Sequence, residues 1–152
     1  IADKFKDNTL TSNFGEYYYL GKCIERKSLK LLPKLGSYLD WIICGYGERP
    51  FFCIFSALGI IIIFSFLYLI TGIDTDGRTI LYTFSNMYTW NISKFIKDFN
   101  ESLNLSVGMF AGVGIDNGKP TEIGYLVANL EMLIGIVLMG VGVGTLVRKV
   151  IR

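Results

Sequence analysis

The sequence predicts an all-α membrane protein with two transmembrane helices, a re-entrant helix and loop between them, and amphipathic helices at the N-terminus. Three observations support this fold class. Residues 51–71 contain no charged side chain, and residues 125–147 contain only Glu131. The glycine-bearing run at residues 109–116 is apolar but too short to cross a bilayer. Apolar residues make up 51% of the chain, and these segments concentrate them.

The N-terminal segment, residues 1–50, is predicted to be helical and to lie at the cytoplasmic face of the membrane. Residues 1–14 are polar and turn-rich, whereas residues 15–32 have helical spacing with a basic face. Pro33 is expected to interrupt that helix, and residues 35–44 to form a shorter amphipathic one. Lys, Tyr and Trp on such helices suit a membrane interface. Packing between cytosolic helices of an oligomer explains the same pattern.

Residues 51–152 are predicted to form one membrane-embedded domain with two spans. The outer helix is placed at residues 51–72 and the inner helix at about residues 122–150. The uncharged stretch of 21 residues makes a helix of about 31 Å, the thickness of a bilayer's hydrocarbon core. About fifty residues precede it and no small-residue cleavage site follows it, so we expect a span rather than a signal peptide.

The distribution of cations predicts the orientation of the chain. Eight Lys or Arg residues precede the first span and three follow the second, whereas the segment between the spans holds four. Because cytoplasmic segments are enriched in Lys and Arg, both termini are expected in the cytoplasm of a multi-pass plasma-membrane protein. The outer segment is mildly acidic, with six carboxylates against its four cations. An acidic surface of this kind concentrates cations.

Between the spans, the sequence predicts a turret, a helix and a glycine loop. The turret covers residues 73–90 and the helix about residues 91–109, with Asn91 or Ser93 as its cap. Apolar residues recur at helical spacing along this helix: Ile92, Ile96, Phe99, Leu103 and Val107. The loop at residues 112–116 has irregular backbone. At membrane depth such backbone is tolerated only where it is buried in protein or lines a water-filled cavity.

Residues 102–152 resemble the pore region of the tetrameric potassium-channel superfamily, whose filter motif is commonly written TVGYG. Phe110 and Ala111 stand where the family usually has Phe-Thr, Pro120 and Gly124 match the linker, and residues 146–149, LVRK, match the cytoplasmic end of the inner helix. The filter positions here read GVGID: Gly112, Val113, Gly114, Ile115 and Asp116. More loosely, residues 17–27 and the YGERP turn resemble prokaryotic channels with a soluble region before two spans.

The resemblance implies a homotetramer in the lipid bilayer, because four is the family's number of subunits. Backbone carbonyls of the filter would replace the water of a permeant cation, and Phe110 would support the filter. Gly135 falls at the family's hinge position in the inner helix. Helical spacing from it predicts an apolar inner-pore lining of Ile136, Met139, Val143 and Val147. The same stripe is equally compatible with packing against a neighbouring inner helix.

Glu131 is a second candidate functional residue, because an ionisable side chain at membrane depth is functional by default. We expect it to make a hydrogen bond or ion pair behind the filter, as filter support. Direct contact with an ion is the alternative.

The filter departs from the family at three of five positions, with Gly112 for Thr, Ile115 for Tyr and Asp116 for Gly. A ring of four Asp116 carboxylates would form a high-field outer site favouring Na⁺ or Ca²⁺ over K⁺. Alternatively, Asp116 is a solvated acid at the mouth whose side chain bonds neighbouring backbone. Between these two roles, we predict the first, with Asp116 as a cation ligand.

The sequence thus predicts a cation channel that is not strictly potassium-selective, passing Na⁺, K⁺ or Ca²⁺ and needing no cofactor. The alternatives are a potassium-selective channel with an unusual filter and a non-conducting membrane scaffold. An enzyme is not expected, because the chain has no histidine and no paired nucleophile and base.

The three cysteines lack the spacing of a metal site, and no basic tract indicates nucleic-acid binding. The gating stimulus is not readable from the sequence, and a cytoplasmic regulatory region upstream of Ile1 is one place for a sensor.

Overall fold

The structure is a computed structural model, and it describes residues 11–75, 77–82, 91–114 and 118–151. These residues form five α-helices and three short strands. The helices are α1 (Thr11–Ser28), α2 (Leu31–Cys44), α3 (Pro50–Thr71), α4 (Ile92–Phe110) and α5 (Gly124–Ile151). The strands are β1 (Ile73–Thr75), β2 (Arg78–Ile80) and β3 (Lys119–Pro120). The predicted all-α class is confirmed, with a small sheet added beside the helices.

Two helices are long and apolar enough to cross a membrane, as predicted. They are α3, at Pro50–Thr71, and the Gly124–Val150 part of α5. In each, only 22% of the most apolar window is buried within the chain. A soluble core helix would be mostly buried, whereas the described chain leaves large apolar faces of both helices uncovered.

The chain forms two compact units, residues 1–56 with 138–152 and residues 57–137. In the first unit, the predicted break at Pro33 is wrong. The first helix ends at Ser28 and α2 begins at Leu31, so Pro33 lies inside the first turn of α2. The first-turn N–H groups have no intrahelical acceptor, and a proline there therefore removes no helical hydrogen bond.

Aromatic contacts hold α1 and α2 together. The Trp41 indole N–H donates to the Tyr19 hydroxyl over 2.8 Å. The Arg26 guanidinium lies over the Tyr38 and Trp41 rings, 4.3 and 4.9 Å from their centroids. Cation–π contacts of this length stabilise the pairing without an ion pair. The described part of the N-terminal segment, residues 11–44, therefore forms a helical hairpin.

A tight turn joins α2 to α3. Gly45 caps α2 in the left-handed region at φ 54°, and Tyr46 follows at φ 58°. A tyrosine at positive φ is strained unless tertiary contacts hold it. Its hydroxyl hydrogen-bonds the Ser37 hydroxyl at 2.8 Å, which anchors the side chain on α2. Pro50 then starts α3, where its fixed φ is favourable.

In the second unit, a three-stranded antiparallel sheet in the order β2-β1-β3 packs beside α4. Arg78 of β2 contacts two carboxylates of α4, Glu101 at 2.6 Å and Asp98 at 3.4 Å. The Tyr82 hydroxyl donates to the other Asp98 oxygen over 2.7 Å. A buried apolar cluster lies below this polar layer: Tyr68, Leu69, Ile73, Ile80, Leu105 and Ala128. The predicted turret is thus ordered at residues 73–75 and 77–82, and the rest of it lies outside the described residues.

The Tyr82–Asp98 bond predicts a pH dependence of stability. Burial, and then the bond to Asp98, raise the pKa of Tyr82 to about 12. An unfolded tyrosine titrates near pH 10. Because the folded value is the higher one, the stabilisation is complete below about pH 10 and is lost as the pH rises towards 12. Unfolding of the wild type and of Tyr82→Phe, followed against pH, should show a stability difference that shrinks over this window. A difference independent of pH would contradict the assignment.

Candidate functional site

Helix α4 is the element on which the predicted site depends. Its start agrees with the prediction, since the Asn91 side chain caps it by accepting the Ser93 N–H at 3.1 Å. The helix buries a face that carries three polar side chains, Asp98, Ser102 and Ser106. The apolar residues that recur along it are largely outside, with Ile92, Ile96 and Val107 exposed. The buried positions are Asp98, Ser102, Leu105, Ser106, Gly108 and Phe110.

Glu131 lies at the centre of this polar interior and is fully buried. The Tyr68 hydroxyl donates to Glu131 Oε2 over 2.7 Å. Ser106 Oγ hydrogen-bonds Glu131 Oε1 and also lies 2.9 Å from the carbonyl oxygen of Ile61. Glu131 thus joins α3, α4 and α5 within the second unit. Glu131 makes the hydrogen bond that was expected of it, and one partner is Ser106 of α4, the helix before the loop. Its role in filter support stays a prediction.

Two further serines, Ser65 and Ser102, extend the network. Ser102 Oγ donates to the carbonyl oxygen of Ser65, and Ser65 Oγ donates to the Ile61 carbonyl oxygen over 2.7 Å. Both serines are fully buried. Residues 102 and 106 are four apart and therefore stack on one face of α4. Hydrogen bonds to α3 carbonyls remove the desolvation penalty that these hydroxyls would otherwise carry.

The count of hydrogens in this network restricts how it is arranged. Ser106 has one hydroxyl hydrogen but two acceptor atoms within reach, Glu131 Oε1 and the Ile61 carbonyl oxygen. No Lys or Arg among the described residues forms an ion pair with Glu131. A proton on Oε1 would let Glu131 donate to Ser106, and Ser106 donate to Ile61. Every group would then be satisfied by one chain of donors.

The C-terminus of α4 ends in a Schellman motif. The Gly112 N–H donates to the Met109 carbonyl oxygen and the Val113 N–H to the Gly108 carbonyl oxygen, both at 3.0 Å. Gly112, the first residue past the cap Ala111, has φ 71°, which glycine adopts at no steric cost. This motif accounts for Gly112 without a bound ion. Local helix capping and the predicted filter therefore use the same residue.

The chain beyond the cap keeps an unusual conformation. Gly114 also has positive φ, 73°, whereas Val113 between the two glycines does not. The Val113 side chain is 83% exposed on the single chain. A Cβ at either glycine would meet no atom within 4 Å, so their requirement is conformational rather than steric. Ile115 and Asp116 lie outside the described residues, and the predicted cation ligand Asp116 is therefore not placed.

Gly135 lies at a close approach between the backbones of α4 and α5. A Cβ built on Gly135 would overlap the Phe110 carbonyl oxygen and lie 3.0 Å from its carbonyl carbon. Only glycine permits this approach. The structure thus gives Gly135 a packing role. Its neighbour Phe110 is buried and contacts Gly135 through its backbone. The hinge at Gly135 stays a prediction.

The predicted inner-pore residues lie along α5 with exposed side chains. These residues are Ile136, Met139, Val143 and Val147. Their exposure on the single chain is compatible with both interpretations, a pore lining and packing against a neighbouring inner helix.

Sequence reasoning missed Tyr68 and Ser106 as the partners of Glu131, and it missed the Ser102–Ser65 hydrogen bond beside them. A usable signal was present, because Ser102 and Ser106 are spaced by four and therefore share one face of α4. Within the described residues, no group of three or more His, Cys, Asp or Glu could hold a metal ion.

These features define a helical protein with two helices of membrane-spanning length and, between them in sequence, a helix with a buried polar face. No protein-family model, no curated protein and no solved structure matches the chain. The fold and the site are therefore the basis for a functional assignment.

Proposed function

We propose that the chain is the pore-forming subunit of a homotetrameric cation channel in the plasma membrane. In this proposal α3 and α5 cross the bilayer with both termini in the cytoplasm, and α4 is a re-entrant pore helix. The loop at residues 112–116 is the selectivity filter. The channel passes Na⁺ or Ca²⁺ as well as K⁺, because Asp116 replaces a neutral glycine at the outer filter position.

The observation that carries the proposal is the end of α4. Helix α4, Ile92–Phe110, has 19 residues and follows the span-length helix α3 in the sequence. Its last residue, Phe110, contacts Gly135 of the second span-length helix, α5. Two positive-φ glycines then flank the exposed Val113. Alternation of this kind can turn successive carbonyls towards one side, which a carbonyl-lined filter requires. The Phe110–Gly135 contact and the Glu131 network hold this end of α4 in place.

The need for several copies follows from the exposed surface. One chain with two spans cannot enclose a pore, and closed symmetry is the usual way to complete one. The exposed residues of α5, together with Ile96 and Val107 of α4, are apolar surfaces that neighbouring copies or lipid would cover. Buried Ser and Glu side chains that satisfy one another, as Ser106 and Glu131 do, are the arrangement expected where helices pack at membrane depth.

The experiment that tests the proposal is ion flux through purified, reconstituted tetramers. Reversal potentials would be measured in bilayers under K⁺/Na⁺ and K⁺/Ca²⁺ gradients. Conduction of Na⁺ or Ca²⁺ at a rate comparable to that of K⁺ supports the proposal in full. Strong preference for K⁺ would support a potassium-selective channel with an unusual filter. It would contradict the proposed permeation of Na⁺ or Ca²⁺.

Asp116→Asn is expected to weaken divalent permeation or block at least about tenfold, the scale of one lost charge-assisted contact of about 1.5 kcal/mol per site. The monovalent current should persist, because the backbone carbonyls remain. Glu122→Gln, also acidic and between the spans, is the matched control and should leave the divalent response unchanged. Equal responses of wild type and Asp116→Asn would remove Asp116 from the mechanism.

A non-conducting membrane scaffold is the second candidate. The observation that favours it is the Schellman motif, which explains Gly112 as a helix cap. The scaffold would assemble through α3 and α5 and present the α1–α2 hairpin to partners. Absence of any flux from folded tetramers would support it.

A further inference from the structure

The face of α2 that turns away from α1 is uncovered and strongly apolar. Residues 31 and 32 are 81% and 83% exposed, and three more large aliphatic side chains of the helix are more than half exposed. At 100° per residue, the aliphatic positions occupy one arc of about 120° with no charge inside it. These positions, here called the α2 face, are Leu31, Leu32, Leu35, Leu39, Ile42 and Ile43.

Contacts within the first unit use the other side of the helix. Ser37 and Trp41 bond Tyr46 and Tyr19, and they lie about opposite the centre of the α2 face. The hairpin partner therefore leaves the α2 face free. An exposed aliphatic surface of this extent on one helix marks an interaction site rather than ordinary surface.

The end of α2 is fixed beside the start of α3. Ser56 Oγ donates to the Ile42 carbonyl oxygen over 2.8 Å, and the Trp41 and Phe52 rings meet edge to face at 6.2 Å. Ser56 lies six residues into α3, or about 9 Å along its axis. The last turn of α2 is thus level with the first two turns of a helix of membrane-spanning length.

Charged groups mark the same level. Glu48, just before α3, pairs with Arg148 near the end of α5 at 3.2 Å. Arg49 lies 3.7 Å from Glu16 of α1. If α3 and α5 span the membrane, these ion pairs lie at its cytoplasmic boundary, and α2 ends there too. A helix tied at this level with one aliphatic face and one polar face has the features of an interfacial helix.

We propose that α2 lies in the cytoplasmic interface of the bilayer, with the α2 face among the lipid acyl chains. This proposal rests on the proposed membrane insertion of α3 and α5. The lipids at the N-terminal end of α2 are anionic, because a basic cluster in the sequence surrounds its start: Lys27 in the last turn of α1, Lys30 just before α2 and Lys34 in its first turn. Asp40 is the one acid on α2. Lipid, rather than a second copy, is the occupant that the tether to α3 and the basic cluster favour.

Photo-crosslinking in the full-length chain tests this placement. Benzoylphenylalanine would replace Leu35 or Leu39 in separate variants, reconstituted in vesicles of phosphatidylcholine with one part in about three of phosphatidylglycerol, the surface charge that such helices recognise. The expected product is a lipid adduct, identified by mass spectrometry. Ser37, on the α1 side of the same helix, is the matched control and should give at least about tenfold less lipid adduct, as its side is shielded by protein.

Each other outcome overturns the proposal in a defined way. A crosslinked dimer from Leu35 and Leu39 would assign the α2 face to a second copy, and absence of both products would leave it in water. Benzoylphenylalanine at Leu31 should label phosphatidylglycerol above its mole fraction. Labelling in proportion would remove the anionic preference.

Two measurements separate failure of this inference from failure of membrane insertion. Alkaline extraction of the same vesicles reports whether the chain is embedded, and benzoylphenylalanine at Ile63, an exposed residue of α3, reports lipid contact along the span. Retention with lipid adducts at residue 63 but none at 35 or 39 would refute the interfacial helix alone. Loss of the chain on extraction, with no lipid adduct at any position, would refute insertion itself.

Discussion

Gly135→Ala is expected to destabilise the chain by about 3 kcal/mol, the upper part of the range for overpacking a close contact. The added methyl would overlap the Phe110 carbonyl oxygen. This neighbour is backbone and cannot rotate away, so the end of α4 must move. Unfolding of the purified protein in mild detergent measures the loss. Any ion flux should fall with it, because the residues of the proposed filter begin two positions after Phe110.

Gly140→Ala and Gly144→Ala are the matched controls in the same helix. A Cβ at either position meets no atom of the chain within 4 Å. Alanine has the higher helix propensity, so each variant should be unchanged or more stable by up to about 1 kcal/mol. Equal effects of all three substitutions would mean that helix flexibility, rather than the contact with Phe110, determines the result. A tolerated Gly135→Ala with altered gating would favour the predicted hinge.

Glu131→Ala is expected to cost about 3 kcal/mol. It removes the acceptor of the buried Tyr68 hydroxyl and leaves a cavity among α3, α4 and α5, and these two penalties are each about 1–3 kcal/mol. Glu131→Gln should remain within about 1 kcal/mol of the wild type, the usual value of one altered hydrogen bond. Its amide oxygen can accept from Tyr68, and its NH₂ group can donate to Ser106, which is then free to donate to Ile61.

The comparison of the two variants distinguishes structural from electrostatic roles. If Glu131→Gln loses as much stability as Glu131→Ala, the ionised carboxylate is required. If Glu131→Gln is stable but changes the reversal potential, Glu131 acts on the permeant ion. Ser106→Ala, which leaves Glu131 Oε1 without its partner, should lie between the two glutamate variants.

The two span-length helices could be predicted from the sequence because hydrophobic length is a property of contiguous residues. Charge-free residues 51–71 correspond closely to Pro50–Thr71. The predicted inner helix at about residues 122–150 likewise agrees with Gly124–Ile151. The break at Pro33 was not predictable in the same way. Whether a proline ends a helix or starts one depends on which neighbouring N–H groups already lack partners.

The candidate site was predictable in part. Glu131 stood out because a lone acid in a 23-residue apolar run requires a partner. Its partners did not, because Tyr68 and Ser106 are ordinary residues until tertiary contacts bring them to Glu131. Gly135 shows the opposite difficulty: family resemblance suggests a hinge there, whereas the close contact with Phe110 is visible only in three dimensions.

The inward polar face of α4 has a consequence for the order in which the chain is assembled. Ser102 and Ser106 find their acceptors on α3, and Glu131 comes from α5. Alone in a bilayer, α4 would expose these hydroxyls and the Asp98 carboxylate to hydrocarbon, where unsatisfied groups are strongly disfavoured. If α4 is the proposed re-entrant helix, it should therefore enter the membrane late during biosynthesis, after α5 has emerged from the ribosome. Chains truncated before residue 124 are expected to leave α4 outside the bilayer.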